Sequence, residues 1–137
     1  MKKVIVSIGI VLILVILSCE KDELSERFKL LITPTWVSDS LLANGVEASG
    51  PGEILEKFKG EAKFNSDGTG EFGVYTGTWQ LTFNETQIVI SSDSLDLPVT
   101  AQIVELTANS LKIVTSAPES MNSKKALINI RMTFTSK

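Results

Sequence analysis

The segment EAKFNSDGTGEF, residues 61–72, carries the clearest fold signal in the chain. Apolar and charged residues alternate with a period of two through Ile54 to Phe64, which is typical of a strand with one buried face. Asn65-Ser66-Asp67-Gly68 then supplies the Asp-Gly pair that tolerates the positive φ of a tight turn. Thr69 to Tyr75 returns as the second strand. The segment therefore predicts a β-hairpin, and with it an antiparallel sheet.

The same alternation, interrupted by short polar turns, recurs on both sides of this hairpin. Short, evenly spaced strands joined by hairpins predict an all-β fold, an up-and-down meander of about eight strands. Such a meander closes as a small antiparallel barrel, because closure leaves no exposed edge. The other predicted strands are Thr35–Leu42, Gly77–Phe83, Gln87–Ser91, Val99–Leu106, Leu111–Thr115 and Ala126–Thr135. The predicted turns and loops between them are Asn44–Gly45, Ala48–Gly52, Asn84–Thr86, Ser92–Leu97, Thr107–Ser110 and Ala117–Lys125.

A short helix is predicted just before the first strand. Leu24, Phe28 and Leu31 recur at helical spacing, and Ser25 is a suitable N-cap. Pro34 ends the helix, because proline disfavours helical backbone in the residue before it. A short helix with one apolar face needs a surface to lie on, so we expect it to cover one end of the barrel.

The N-terminus has the order of a secretory signal. Lys2 and Lys3 precede an apolar run of about 14 residues, Val4 to Leu17, which is shorter than the roughly 20 that span a membrane. Ile16-Leu17-Ser18-Cys19 resembles a bacterial lipobox. That resemblance implies cleavage before Cys19 and attachment of lipid to its thiol. We therefore expect residues 1–18 to be a signal peptide, 19–27 a lipid anchor and tether, and 28–137 the barrel domain.

Two other interpretations of the leader remain open: an ordinary signal peptide whose cysteine is incidental, and an uncleaved N-terminal anchor. The charged run Glu20-Lys21-Asp22-Glu23 resembles the export signals of surface lipoproteins in the Bacteroidetes. The resemblance implies an outer-membrane lipoprotein on the cell surface or on the periplasmic face. A solvated linker would have the same charged composition.

The composition excludes several classes of function. The chain has no His and only one Cys, which removes His-based catalysis, disulfides and nearly all transition-metal sites. Loss of Lys2 and Lys3 with the leader changes the formal charge from −3 to −5, which makes nucleic acid a poor partner. We expect no enzyme activity, cofactor or metal. The carboxylates have a spacing that suits outward strand faces and turns: Glu53, Glu56, Glu61, Asp67, Glu71, Glu85 and Glu105.

Residues 28–135 resemble the lipocalin-like domains of small Bacteroidetes lipoproteins. The resemblance rests on Trp36 shortly after the helix, on the form F-x-x-D-G-T at Phe64–Thr69, and on the form G-x-W-x-L at Gly77–Leu81. It implies an eight-stranded barrel that holds a small hydrophobic or amphipathic ligand at its mouth. The candidate ligand-binding residues are Trp36, Phe58, Phe72 and Trp79. The alternative is that such residues fill the barrel, and that its surface contacts an outer-membrane complex or an enzyme that it inhibits.

Overall fold

The computed structural model describes residues 24–118 and 127–137. The leader, Cys19 and most of the loop predicted at 117–125 lie outside the described residues. The strands of the described part are β1 (Trp36–Ala43), β2 (Val46–Glu47), β3 (Glu61–Phe64), β4 (Thr69–Phe72), β5 (Tyr75–Thr82), β6 (Gln87–Ser91), β7 (Val99–Leu106), β8 (Ser110–Pro118) and β9 (Leu127–Ser136).

Strands β1 and β3–β9 form a closed eight-stranded antiparallel barrel, which confirms the predicted fold class. Each strand pairs with the next in the chain, and β9 pairs back along the whole of β1. The pairing of β1 with β3 is short, since it joins only Trp36 to Ala62 and Val37 to Glu61. Strand β2 pairs with the last residues of β1, Leu42 and Ala43, through the turn at Asn44-Gly45.

The predicted helix is α1 (Glu26–Ile32), and it begins inside the segment assigned to the tether. Ser25 caps it, because its Oγ accepts a hydrogen bond from the backbone N–H of Phe28 at 3.1 Å. Leu31 is fully buried and α1 contacts β3 and β7. The helix therefore covers the end of the barrel where β1 begins and where β3, β5 and β7 end, and we call this the closed end. No helix in the described residues is long and apolar enough to cross a membrane.

The prediction of one strand from Ile54 to Phe64 is wrong in its first half. Glu56–Phe58 forms a 3₁₀ turn, and β3 begins only at Glu61. The two parts are separated by Gly60, whose φ of 116° is far from extended backbone. Before Gly60, Leu55 is buried and Phe58 partly buried, a spacing of three that suits the 3₁₀ turn, so the alternation does not correspond to strand pairing there.

The other boundaries differ by little. The return strand ends at Phe72, because Gly73 turns the chain with a φ of 63° and β5 begins at Tyr75. Strand β8 continues past the predicted end to Pro118, which pairs with Leu127. The short strand β2 was not predicted.

Large side chains fill the closed half of the barrel. Trp36 is fully buried, and its Nε1 donates to the carbonyl oxygen of Leu31 at 3.0 Å. Trp79 donates in the same way to the carbonyl oxygen of Asn65 at 3.0 Å. The Phe64 ring lies edge-on to Trp79, with centroids 5.3 Å apart. Both indole N–H groups are thus satisfied inside an apolar core, as a stable burial of tryptophan requires.

Candidate functional site

The end of the barrel opposite α1 contains a cavity of about 460 Å³. At this open end β4, β6 and β8 finish while β5, β7 and β9 begin. The floor includes Ile130 and Met132, which point inward from β9 and are buried. The large rings of the closed half do not line the cavity, so the cavity lies in the half of the barrel next to the open end.

The cavity is apolar with a few hydroxyl groups, and no charged side chain lines it. The apolar lining residues are Ile54, Leu55, Phe58, Leu95, Leu97, Pro98, Val99, Ala117, Pro118, Ile130 and Met132. The hydroxyl-bearing residues are Tyr75, Thr100, Thr115 and Ser116. Burying a charge without a partner is costly, so this lining suits a neutral molecule.

Backbone contacts hold the segment 54–60 against the open end. Leu55 N–H donates to the carbonyl oxygen of Ala48 at 2.9 Å, and Val74 N–H donates to that of Lys57 at 2.9 Å. Gly73 makes the second contact possible, because a Cβ there would lie 2.1 Å from the Lys57 oxygen. The sequence thus places glycine where two backbones meet too closely for any side chain.

An aromatic pair forms one wall of the cavity. The rings of Phe58 and Tyr75 have centroids 4.8 Å apart and are tilted by 44°. Both residues are partly buried, and the Tyr75 hydroxyl makes no hydrogen bond to another described residue. On another wall, the Thr115 hydroxyl donates to the carbonyl oxygen of Thr100 at 2.7 Å, which uses its proton within the protein. The Tyr75 hydroxyl is therefore available to a ligand.

The structure brings one of the four predicted ligand-binding residues, Phe58, to the cavity. Trp36 and Trp79 lie in the core at the closed end, and Phe72 is buried with its ring 5.3 Å from that of Phe64. None of these three lines the cavity. A role of the four residues in ligand binding stays a prediction.

Sequence reasoning missed Leu95 and Leu97, which lie in the segment predicted as a polar loop. Both line the cavity from the loop between β6 and β7. Two leucines with Pro98 in an otherwise polar loop are the signal that could have identified them, because loop residues with no core contact are usually polar. Tyr75 and Met132 were recognised as strand residues but not as neighbours of the cavity.

Exposed aliphatic side chains surround the open end. Among the described residues, five of the eight exposed large hydrophobic residues lie in connections or strand ends there. We call them the apolar rim, and they are Val46, Ile54, Val74, Leu97 and Leu127. Single exposed apolar residues are common, but a group around one opening is typical of a binding surface.

The titratable groups with a shifted pKa lie away from the cavity. Thr69 donates to Asp67 Oδ1 from its hydroxyl at 2.6 Å and from its backbone N–H at 2.9 Å, which lowers the pKa of Asp67. The Ser110 hydroxyl, and then Lys112, lower the pKa of Glu105. In the described ranges no three Asp, Glu, Cys or His side chains come together as a metal site.

Comparison with known proteins leaves the family open. No protein-family model matches the chain, and no curated protein matches it.

Proposed function

We propose that the protein is a membrane-anchored binding protein, without enzyme activity, that holds one small hydrophobic or amphipathic molecule at the open end of its barrel. The observation that carries the proposal is the cavity of about 460 Å³ with an apolar, uncharged lining. This volume lies within the range of roughly 300–1,000 Å³ found for small-molecule sites. An eight-stranded barrel has room for one such ligand.

The lining defines the chemistry of the ligand. Ile130 and Met132 offer an apolar floor, and the Phe58 ring offers an aromatic wall. Removing apolar surface of the ligand from water contributes about 25 cal/mol for each Å² buried. The Tyr75 hydroxyl can donate to one ligand oxygen or accept from one ligand hydroxyl. A neutral molecule with an apolar body and one polar group fits this arrangement.

The leader supports the anchoring part of the proposal. Cys19 follows Ile16-Leu17-Ser18, and its thiol is the nucleophile that lipid attachment requires. Each buried CH₂ of an attached acyl chain contributes about 0.8 kcal/mol, so two or more chains hold a protein on a membrane. The proposed location is the outer membrane, on the cell surface or the periplasmic face.

Mass spectrometry of the full-length protein tests the anchor. Lipidation at Cys19 predicts loss of residues 1–18 and the added mass of acyl chains on the N-terminal peptide. The Cys19→Ser variant should keep its leader uncleaved or lose membrane attachment. To find the side of the membrane, residues 1–24 can be fused to a reporter and intact cells treated with protease. Digestion of the reporter would indicate the cell surface.

Titration with a fluorescent apolar probe tests the cavity. Ala117→Trp puts a large ring into the cavity, whereas Ala108→Trp makes the same change in an exposed turn at the closed end. We expect the first variant to reduce probe affinity at least tenfold and the second to leave it unchanged. Equal affinity in both variants would contradict binding in the cavity. Native mass spectrometry of protein from its own host then identifies the natural ligand.

The apolar rim favours a second candidate function, in which the open end contacts a partner protein. An outer-membrane complex or an enzyme that the barrel inhibits would bury these aliphatic side chains. Val74→Asp adds a charge to the rim at a residue that does not line the cavity. It should abolish capture of a protein partner and leave probe binding unchanged, which separates the two functions.

A further inference from the structure

One large apolar residue at the closed end is not explained by folding. Phe83 is 76% exposed, and it is the first of three residues with positive φ, followed by Asn84 and Glu85. Its φ of 49° is a conformation that a bulky side chain rarely adopts. Its ring thus gains little from burial. The backbone conformation of Phe83 is also one that Asn or Gly would adopt more easily.

The chain that comes from Cys19 reaches the barrel beside this turn. Ser25 Oγ donates to Glu85 Oε2 at 2.5 Å, and Arg27 Nε donates to the carbonyl oxygen of Glu85 at 2.8 Å. Leu24, the residue before this contact, is 48% exposed. The start of the described chain therefore lies against the turn that carries Phe83.

The length of the linker restricts which end can face the membrane. Five residue steps separate Cys19 from Leu24, and a chain spans at most about 3.3–3.6 Å per step, or roughly 17 Å in all. Strand β1 is roughly 23 Å long at about 3.3 Å per residue, which at the usual strand tilt of about 40° is roughly 18 Å along the barrel axis, and the loops of the open end extend beyond it. A linker that begins at the closed end is too short to let the open end touch the same bilayer.

We infer that the turn at Phe83–Glu85 rests on the lipid surface, with the Phe83 ring inserted among the lipids and the open end directed away from them. The inference rests on the lipid anchor proposed for Cys19. Phenylalanine on the apolar side of an interfacial segment buries into the boundary between headgroups and acyl chains. The lipid on Cys19 supplies the attachment, while Phe83 fixes the orientation.

Charge contributes little to this contact. Arg27 and Lys29 at the closed end are accompanied by Glu26 and Glu85, and Lys29 lies 3.8 Å from Glu26. A mixed surface has no strong preference for anionic lipid, so the orientation should not depend on salt. A ligand would then enter the cavity from the aqueous side and not directly from the bilayer.

Quenching of tryptophan fluorescence by brominated lipids tests the contact. Lipidated full-length Phe83→Trp and Leu97→Trp form a matched pair, since these positions are 76% and 74% exposed at opposite ends of the barrel. Each is placed in phosphatidylethanolamine–phosphatidylglycerol vesicles with and without bromine on the acyl chains. The native Trp36 and Trp79 are the same buried background in both. We expect at least a twofold loss of the added fluorescence for Phe83→Trp and no loss for Leu97→Trp.

Equal quenching in the two variants, or stronger quenching for Leu97→Trp, would overturn the inference. A second measurement uses energy transfer and leaves the turn unchanged. A donor dye is attached to Ala108→Cys or to Leu97→Cys, and the acceptor is placed in the lipid headgroups. Energy transfer should be higher from Ala108→Cys, and adding Phe83→Asn should reduce the difference between the two positions. Equal energy transfer from the two positions in the lipidated protein would also overturn the inference. Probe titration of the Phe83→Trp sample, in which no cavity-lining residue is changed, reports on the cavity separately, so failure of the binding function is recognised independently.

Discussion

The two ends of this barrel are built from the same strands but packed in different ways. At the closed end, Trp36 and Trp79 are buried, their N–H groups are bonded, and α1 lies over them. At the open end, Phe58 and Tyr75 are only partly buried, and a loop segment takes the place of a longer β3. The closed end is filled by side chains, whereas the open end is held in place largely by backbone contacts.

This difference separates stability from binding. A packed core of large rings contributes most of the burial free energy, and it leaves no room for a ligand. Segments with few buried apolar contacts open locally at lower free energy than the core. The ligand proposed for the cavity would therefore exchange at the less densely packed end without unfolding of the barrel.

Removal of a large apolar side chain should have very different costs at the two ends. Trp36→Ala deletes a fully buried side chain and leaves the Leu31 carbonyl without its donor. We expect a loss of about 3–5 kcal/mol in the free energy of unfolding. Leu97→Ala at the open end, where the side chain is 74% exposed, should cost less than about 0.5 kcal/mol. Urea denaturation measures both, and similar losses would contradict the division.

A methyl group at Gly73 should displace the segment that carries Phe58. The added Cβ would lie 2.1 Å from the Lys57 oxygen, at a φ of 63° that disfavours any side chain. We expect Gly73→Ala to cost about 1–3 kcal/mol and to weaken binding of an apolar probe. Amide hydrogen exchange of residues 54–60 should become faster, while that of β8 and β9 stays slow.

Gly50→Ala is the matched control for this prediction. Gly50 lies in the preceding loop, and its added Cβ would meet only the flexible carboxylate of Glu53, at 3.2 Å. Its backbone also has no positive φ. A small effect of Gly50→Ala beside a large one of Gly73→Ala would show that the backbone contact, and not loop entropy, holds the segment.

Relief of the unfavourable backbone at Phe83 should stabilise the protein slightly. Asn tolerates left-handed backbone better than Phe, and the exposed ring loses no core contact when it is removed. We expect Phe83→Asn to raise the free energy of unfolding by up to about 1 kcal/mol. A loss of stability would mean that the ring supports the closed end, and it would remove the argument that Phe83 serves the lipid surface.

Much of the barrel could be predicted from the sequence because strand alternation is a local signal. Ile128, Ile130, Met132 and Phe134 alternate with polar residues, and the last three are buried in β9. The same signal failed before Gly60, because Leu55 and Phe58 contact the barrel at the three-residue spacing of a 3₁₀ turn and not as alternate residues of a strand. Period alone does not tell whether a neighbouring strand is present.

The cavity could not be predicted in the same way, since it depends on depth along the barrel axis. Trp36 and Phe58 are both large and apolar, yet register and closure place one at the closed end and the other at the open end. Leu97 belongs to the cavity only because the loop after β6 folds over the opening. These are contacts between distant parts of the chain, and no local pattern encodes them.

The smallest expected effect concerns the hairpin turn at the closed end. Hydrogen bonds from the Thr69 hydroxyl, and then from its backbone N–H, lower the pKa of Asp67 below its ordinary value of 3.8. A carboxyl with a lowered pKa in the folded state stabilises the protein above its unfolded pKa, and this contribution is lost as the pH falls through the folded pKa. Thr69→Val removes the hydroxyl but keeps the N–H, so the pKa of Asp67 should rise partway toward 3.8. Carbon-detected NMR titration of the Asp67 carboxyl measures the change. Because the group is exposed, an unchanged pKa would show that the backbone N–H alone organises this turn.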